Sequence, residues 1–122
     1  MTLEEIAREL VAGCREGRER ANLDRLYAAE AVSVEGADMG GQGAATEGLA
    51  GIHGKHDWWE STHITHGVEV EGPFTHAPDR FAVIFGMDVE NRETAQRMKM
   101  REVAVYTVAD GRIVREEFYY GA

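Results

Sequence analysis

The sequence predicts one α+β domain, and three observations carry that prediction. Apolar residues near the N-terminus recur at the three-to-four-residue spacing of a helical face. From residue 64 onward the chain alternates between apolar and polar positions with period two, which is typical of antiparallel strands. A length of 122 residues favours a single domain and is enough to build one core. We therefore expect helices first and a sheet after them.

Two helices open the chain. Thr2 and Glu5 form a T-x-x-E capping box, and Gly17 supplies a C-terminal stop for the first helix. A second, shorter helix is predicted to end near Glu30. The apolar face of the first helix consists of Leu3, Ile6, Ala7, Leu10, Val11 and Cys14.

A short strand is predicted over residues 31–35, and a glycine-rich segment follows it. This segment has seven glycines between Gly36 and Gly54. Its part from Gly40 to Gly48 lacks the G-K-[ST] end of a phosphate loop and the spacing of a dinucleotide loop. We interpret it as a flexible loop or a lid. A third helix is expected from residue 48 to about residue 61.

The remaining chain is predicted to form a four-stranded meander. Pro73 and Pro78 bracket the first turn, residues 91–94 form the second, and Asp110-Gly111 indicates a hairpin. The strand over residues 81–90 is apolar on both faces near its start, so helices are expected on one face and a second subunit on the other. The pattern thus predicts a homodimer through the sheet.

Composition excludes several classes of function. A formal net charge of −9 argues against nucleic acid as a partner. No run approaches the roughly 18 apolar residues of a membrane span. The acidic, amphipathic N-terminus does not resemble a secretory signal, so a cytoplasmic protein is expected. Cys14 is the single cysteine, which excludes an internal disulfide and predicts a buried, inert thiol.

Three segments carry a family resemblance: residues 26–35, residues 48–52 and the closing residues 110–120. Together they resemble the nuclear transport factor two-like superfamily, and within it the SnoaL-like group. The resemblance implies a cone in which a curved, mostly antiparallel sheet wraps three N-terminal helices around an apolar pocket, usually in a homodimer. Members of the superfamily include polyketide cyclases, ketosteroid isomerases and dehydratases, so the fold alone does not give the function.

Glu35 is the first candidate for chemistry. By the resemblance it falls where ketosteroid isomerases carry their general base, which needs an apolar wall to raise its pKa. The two oxyanion donors of those enzymes are replaced by Leu10 or Val11 and by about Ala104, so steroid isomerisation is not expected. A solvated carboxylate at a strand end is the alternative.

The five histidines, which lie within 24 positions, form the second candidate group. His53 and His56 are three residues apart and share a helical face. They could line a pocket or carry protons, or they could lie on the surface. The spacing matches no established metal motif such as H-E-x-x-H, and we expect neither a metal nor another cofactor.

Aromatic residues and one strand aspartate complete the predicted site. Adjacent helical residues diverge by about 100°, so Trp58 and Trp59 cannot both pack against one neighbour. Asp88 is the best strand-borne acid, because SnoaL-like cyclases use an Asp or His inside the cone. Core packing is the alternative for the tryptophans, and cross-strand ion pairs, Asp88–Arg101 or Glu102–Arg115, are the alternative for the acids.

The sequence thus predicts a protein that binds a small apolar or aromatic molecule and performs cofactor-free acid/base chemistry of an isomerase, cyclase or dehydratase type. A non-catalytic ligand-binding or dimerisation module is the alternative. The expected acid/base residues are Glu35, His53, His56 and Asp88, and the expected pocket residues are Trp58, Trp59, Tyr27, Tyr106 and Tyr119.

Overall fold

Helices and strands follow one another in the predicted order, with one additional short strand, in the computed structural model, which describes residues 1–37 and 43–120. The three helices pack against one face of a curved six-stranded sheet, so the α+β class and the cone are confirmed. The elements are α1 (Leu3–Glu16), α2 (Glu19–Leu26), β1 (Tyr27–Val34), β2 (Ala45–Glu47), α3 (Leu49–Thr62), β3 (His63–His76), β4 (Arg80–Asn91), β5 (Arg97–Ala109) and β6 (Arg112–Tyr119).

The ends of α1 follow from its sequence. The Thr2 hydroxyl accepts a hydrogen bond from the Glu5 backbone N–H at 3.2 Å, and the Glu5 carboxylate accepts one from the Thr2 N–H at 2.9 Å. This is the predicted capping box. Gly17 ends the helix with φ of 76°, a left-handed conformation that glycine adopts without strain.

The boundary between α2 and β1 differs from the prediction. The helix ends at Leu26 and the strand begins at once at Tyr27, although the prediction continued the helix to about Glu30. The alanines that follow Tyr27 favour a helix intrinsically, but β1 pairs with β6 and buries Ala28 and Ala31. Tertiary pairing therefore overrides local propensity here.

The glycine-rich segment contains a strand that the sequence did not predict. Residues 45–47 form β2, which pairs antiparallel with β1, so this part of the predicted loop or lid is an edge strand. Gly40 and Gly41 belong to the same predicted lid and lie outside the described residues.

The sheet has the strand order β2-β1-β6-β5-β4-β3. The pairing of β1 with β6 is parallel, and β3 to β6 form the predicted antiparallel meander. Pro73 does not begin a turn as expected. It lies inside β3, where the register with β4 shifts between Glu71 and Phe74, as an edge strand allows.

The two faces of the sheet have different roles. The face toward the helices, which we call the inner face, carries Phe81 and Val83 of β4 beside Tyr106 and Ala104 of β5. Ile52 of α3 is fully buried in the same core. We call the opposite side the outer face. None of the described helices is both long and apolar enough to cross a membrane.

Candidate functional site

A buried carboxyl group lies at the centre of the inner face. Glu116 of β6 is only 4% exposed, and its two oxygens accept hydrogen bonds from the Tyr27 hydroxyl and, at 2.6 Å, from Ser33 Oγ. The parallel register places Ser33 directly opposite Glu116. Burial raises the pKa of Glu116, and the two hydroxyl donors partly counteract that rise.

Lys55 connects this buried carboxyl group to a second one. Its Nζ donates to Ser33 Oγ at 2.8 Å and to Glu35 Oε1 at 2.5 Å. The side chains of Lys55 and Glu35 are each 26% exposed, so the ion pair is mostly withdrawn from water. Nζ also lies 5.5 Å from the centroid of the Phe118 ring. A continuous polar chain therefore runs from Glu35 through Lys55 and Ser33 to Glu116.

Glu35 is fixed at the end of β1 by its backbone and by its carboxylate. Its N–H donates to the Ala44 carbonyl at 2.9 Å. Its Oε2 accepts a hydrogen bond from the Tyr120 hydroxyl at 3.3 Å, and that hydroxyl accepts one from the Ala37 N–H at 3.2 Å. Tyr120, which directly follows β6, thus orients the carboxylate that pairs with Lys55.

Glu102 adds a third carboxyl group to the inner face. It lies opposite Phe85 in the β4–β5 register and on the same face of β5 as Ala104 and Tyr106. Burial in the first place, and then the negative charges of nearby Glu35 and Glu116, raise the pKa of Glu102 to about 7, while Lys55 acts in the opposite direction. This carboxyl group can hold or release a proton near neutral pH.

Two tyrosines close the buried end of the cone. The Tyr106 ring stacks on Phe81 with centroids 4.7 Å apart, and the Tyr27 hydroxyl meets Glu116. Burial raises the pKa values of both Tyr27 and Tyr106 well above the ordinary range, so both hydroxyls stay protonated as hydrogen-bond donors. Burial likewise raises the pKa of the nearby Cys14 thiol to about 12.

The structure brings together only some of the residues that the sequence proposed. We call the group of Glu35, Lys55, Ser33, Glu102 and Glu116 the inner polar cluster. Glu35 is part of this cluster, and Tyr27 and Tyr106 lie against it. His56 is partly buried, and its pKa is lowered by burial first and then by Arg20. His53 bonds to Asp24 at 2.9 Å and to Arg20 at 3.3 Å, contacts that join α3 to α2.

Trp58 and Trp59 diverge as expected. Trp58 is 51% exposed, and Trp59 stacks on His63 with ring centroids 3.9 Å apart. Another of the expected pocket residues, Tyr119, is 53% exposed, and its hydroxyl donates to Glu117 at 3.2 Å. Tyr119 pairs with Val103 in register, which places it on the outer face, away from the polar cluster.

Asp88 also lies on the outer face. Its carboxylate pairs with Arg97 at 2.8 Å, which lowers its pKa, so the predicted pair with Arg101 is wrong. Arg101 lies 3.6 Å from Glu71, and Arg115 pairs with Glu117 in place of Glu102. Since the sheet separates Asp88 from the inner cluster, we do not include it in the candidate site.

Sequence reasoning missed four members of the cluster, namely Lys55, Ser33, Glu102 and Glu116. For Glu102 a signal was available, because it alternates with period two with Ala104 and Tyr106 and so shares their inner face. Glu116 gave a weaker signal, because the β5–β6 register shifts between Thr107 and Val108 and interrupts the alternation there.

A separate groove of about 520 Å³ crosses the outer face. Gly86 forms part of its floor, where the absence of a side chain leaves space. Glu69 and Glu71 of β3 lie on one side of it, and Lys99 and Arg101 of β5 lie on the other. The two sides of the groove therefore carry opposite charge.

Within residues 1–37 and 43–120, no group of three or more His, Cys, Asp and Glu side chains is arranged to hold a metal ion.

Comparisons with known proteins agree with this architecture. A family model of the SnoaL-like domain matches residues 1–120. A Mesorhizobium loti protein of known structure, provisionally named a SnoaL-like polyketide cyclase, is 36% identical, with a TM-score of 0.90 over 98% of this chain and 100% of that one.

More distant structures share the fold. A Bacillus subtilis protein, provisionally named an isomerase, is 21% identical, with a TM-score of 0.76 over 96% of this chain and 84% of that one. TerC, co-crystallised with polyporic acid, is 22% identical, with a TM-score of 0.73 over 96% and 89% of the two chains. No protein with a curated description matches the sequence. The family model covers nearly the whole chain, and the chain therefore belongs to the SnoaL-like family.

Proposed function

We propose that this protein binds a small apolar or aromatic organic molecule inside the cone and performs proton transfer on it without a cofactor, in a reaction of the isomerase, cyclase or dehydratase type. The observation that carries the proposal is the meeting of Glu102, Glu35 and Lys55 on the inner face. Perturbed carboxyl groups of this kind in a partly enclosed site are candidates for acid/base work.

The roles of Glu35 and Glu102 differ. Glu35 forms an ion pair with Lys55 at 2.5 Å. Glu102 has a pKa of about 7 and exists in both protonation states near neutral pH. A group with a pKa near the working pH is the most effective general acid or base. We therefore assign proton transfer to Glu102, and to Glu35 the role of holding Lys55 in place.

Apolar side chains surround these groups. Phe85 lies beside Glu102, and Phe118 lies beneath Lys55. Met87 and Met100, which pair in the β4–β5 register, alternate in step with Phe85 and Glu102 and are partly exposed, and both also border the groove of the outer face. An apolar lining with a few convergent polar groups is the usual composition of a small-molecule site.

The experiment begins with native mass spectrometry of protein purified gently from its own host, which identifies a retained molecule. That molecule is then incubated with the protein in D₂O, and deuterium incorporation is followed by NMR. We expect exchange with the wild type and a loss of at least 100-fold in Glu102→Gln, measured at ligand concentrations that saturate each protein. Undiminished exchange in this variant would remove Glu102 from the mechanism.

The second candidate is a ligand-binding module without catalysis. It is favoured by the hydrogen bonds that hold these carboxylates, since Lys55 engages Glu35 while Ser33 and Tyr27 engage Glu116, and both groups are then less free to react. Under this alternative, the retained molecule binds to the wild type, but its deuterium content in D₂O stays at the level of a control without protein.

We also propose a homodimer that forms through the outer face. Phe74, Val103 and Tyr119 are exposed on this face, and exposed apolar patches mark interaction surfaces. The oppositely charged sides of the groove could pair across a two-fold axis. Sedimentation velocity is expected to show a dimer for the wild type and a monomer for Val103→Glu. A monomeric wild type at 100 μM would contradict the proposal. The expected absence of nucleic acid and the cytoplasmic location stay predictions from composition.

A further inference from the structure

The inner face carries more negative than positive charge-bearing groups. Glu35, Glu102 and Glu116 come from three different strands or strand ends. Lys55 forms an ion pair with Glu35, and its charge acts on Glu102 and Glu116 without a direct contact. Lys55 is already engaged, because it donates to Glu35 at 2.5 Å and to Ser33 at 2.8 Å. It balances one carboxylate and leaves two without a paired cation.

The two remaining carboxyl groups, those of Glu116 and Glu102, differ in their hydrogen-bond partners. Glu116 accepts hydrogen bonds from Tyr27 and Ser33, two neutral hydroxyl donors. Glu102 has no hydrogen-bond donor within residues 1–37 and 43–120, and it lies on the apolar inner face beside Phe85. A carboxylate in low-dielectric surroundings strongly favours the approach of a cation.

We propose that the ligand of the cone carries a cationic nitrogen, as a primary amine or a protonated imine on an apolar body, and that this cation pairs with Glu102. The inference rests on the proposed function and names the substrate class for that site. The apolar body would lie along Phe118 and the methionine pair of β4 and β5, Met87 and Met100. Met side chains adapt to irregular apolar shapes.

The whole-chain charge supports the same ligand class. A net charge of −9 attracts cations toward the protein and repels anions. Near the site, the sign of the charge is set by groups from α3, β1, β5 and β6. The titratable groups around Glu102 are Lys55, Glu35, Glu116, Tyr106 and Tyr120.

Binding of a cation would release a proton from Glu102. A nearby positive charge favours the carboxylate, so binding is tighter when that carboxylate is already ionised. The affinity for a cation is therefore expected to rise as pH increases from 6 to 8, through the pKa of about 7. A neutral molecule of the same shape gains nothing from this ionisation.

The test uses three probes that share one ring system: 2-naphthylmethylamine, 2-naphthylmethanol and 2-naphthoate. Dissociation constants are measured at pH 8 and 0.15 M salt by NMR titration of ¹⁵N-labelled protein. We expect the amine to bind at least 10-fold more tightly than the alcohol, and the naphthoate to bind most weakly. The amine should also lose at least threefold in affinity at pH 6.

Two variants localise the effect. Glu102→Gln should reduce the advantage of the amine over the alcohol to less than threefold, while Glu93→Gln, an equal charge change at an exposed turn position, should preserve it. Unfolding in urea checks that both variants fold. If Glu102→Gln does not fold, the loss of amine affinity at pH 6 in the wild type tests the same ionisation.

The outcomes separate the inference from the proposed function. Equal binding of amine and alcohol, or preferential binding of naphthoate, overturns the cationic ligand while leaving an aromatic binding site in the cone. An amine preference that Glu93→Gln abolishes and Glu102→Gln retains also overturns it. If none of the three probes shifts inner-face resonances at millimolar concentration, both the proposed function and this inference fail.

Discussion

Replacing Glu102 with glutamine is expected to stabilise the protein above pH 7. Glutamine has nearly the shape of a protonated glutamate but cannot ionise. Burial and the charges of Glu35 and Glu116 penalise the carboxylate form of Glu102. At high pH the ionised carboxylate destabilises the folded wild type, and glutamine avoids this because it cannot ionise. Removing a side chain of the candidate site should therefore increase the free energy of unfolding.

The magnitude follows from the change in pKa. The pKa of Glu102 is about 7 in the folded protein, against an ordinary value of 4.5. Each unit corresponds to about 1.4 kcal/mol, which sets an upper limit of roughly 3.5 kcal/mol. Partial hydration of a side chain that is not fully buried reduces this limit, and we expect about 1–2 kcal/mol.

The same change in pKa determines the direction in which the free energy of unfolding varies with pH, and the pH range over which it does so. Between pH 4.5 and 7 the folded protein holds a proton on Glu102 that the unfolded chain has released. The free energy of unfolding therefore falls as pH rises through this window and changes little above it. In Glu102→Gln this contribution disappears, and the slope that remains includes that of Glu116.

Urea unfolding at pH 5, 6, 7 and 8 and constant ionic strength measures the effect. Wild type and Glu102→Gln should differ little at pH 5, and the variant should be more stable by about 1–2 kcal/mol at pH 8. Glu93→Gln, which changes the same charge at an exposed position, should follow the wild type. Parallel stability curves for wild type and Glu102→Gln, or a variant that is less stable at pH 8, would refute the reasoning.

Three further predictions concern other parts of the structure. Lys55→Met removes the cation between the inner carboxylates and should lower the free energy of unfolding by about 2 kcal/mol in urea titrations, whereas Lys99→Met at an exposed position should change it by less than about 0.5 kcal/mol. Gly13→Ala should destabilise the protein by about 1–3 kcal/mol, because its Cβ would lie 2.1 Å from Asn22 Nδ2; an unchanged thermal midpoint would contradict the close packing of α1 on α2. The Cys14 thiol, with a pKa of about 12, should react with iodoacetamide at pH 8 at least 100-fold more slowly in the folded protein than in 6 M urea, and equal rates would show that it is accessible.

Local patterns predicted the elements but not the way in which the polar groups meet. The capping box at Thr2 and Glu5 and the stop at Gly17 depend on neighbouring residues, so the sequence reveals them directly. The start of β1 at Tyr27 depends instead on the parallel pairing with β6, whose residues lie more than 80 positions away. Such pairing is not visible in a short window of sequence.

The same distinction explains the site. Glu35 was found because it ends a predicted strand, and its partner was missed because Lys55 is on a helix 20 residues later. The link from Ser33 to Glu116 joins residues 83 apart. Asp88 is the converse case, since its residue type suited the chemistry but its position on β4 faces outward to Arg97. Alternation along a strand could have assigned both acids, with Asp88 on the outer face and Glu102 on the inner one.

The energetics single out Glu102 among the three inner carboxyl groups. Glu35 has an ion pair with Lys55, and Glu116 has two hydroxyl donors, so each has structural compensation for its burial. Glu102 has no comparable compensation within the described residues, and its ionised form costs stability at neutral pH. A group that lowers stability in one protonation state and lies beside an apolar surface is the one most readily stabilised by a bound molecule. The stability gained in Glu102→Gln and the cation affinity lost in it are therefore two measurements of one property, the cost of an unpaired carboxylate in the cone. If the variant gains stability but cation affinity is unchanged, the cost is real but the bound cation does not relieve it.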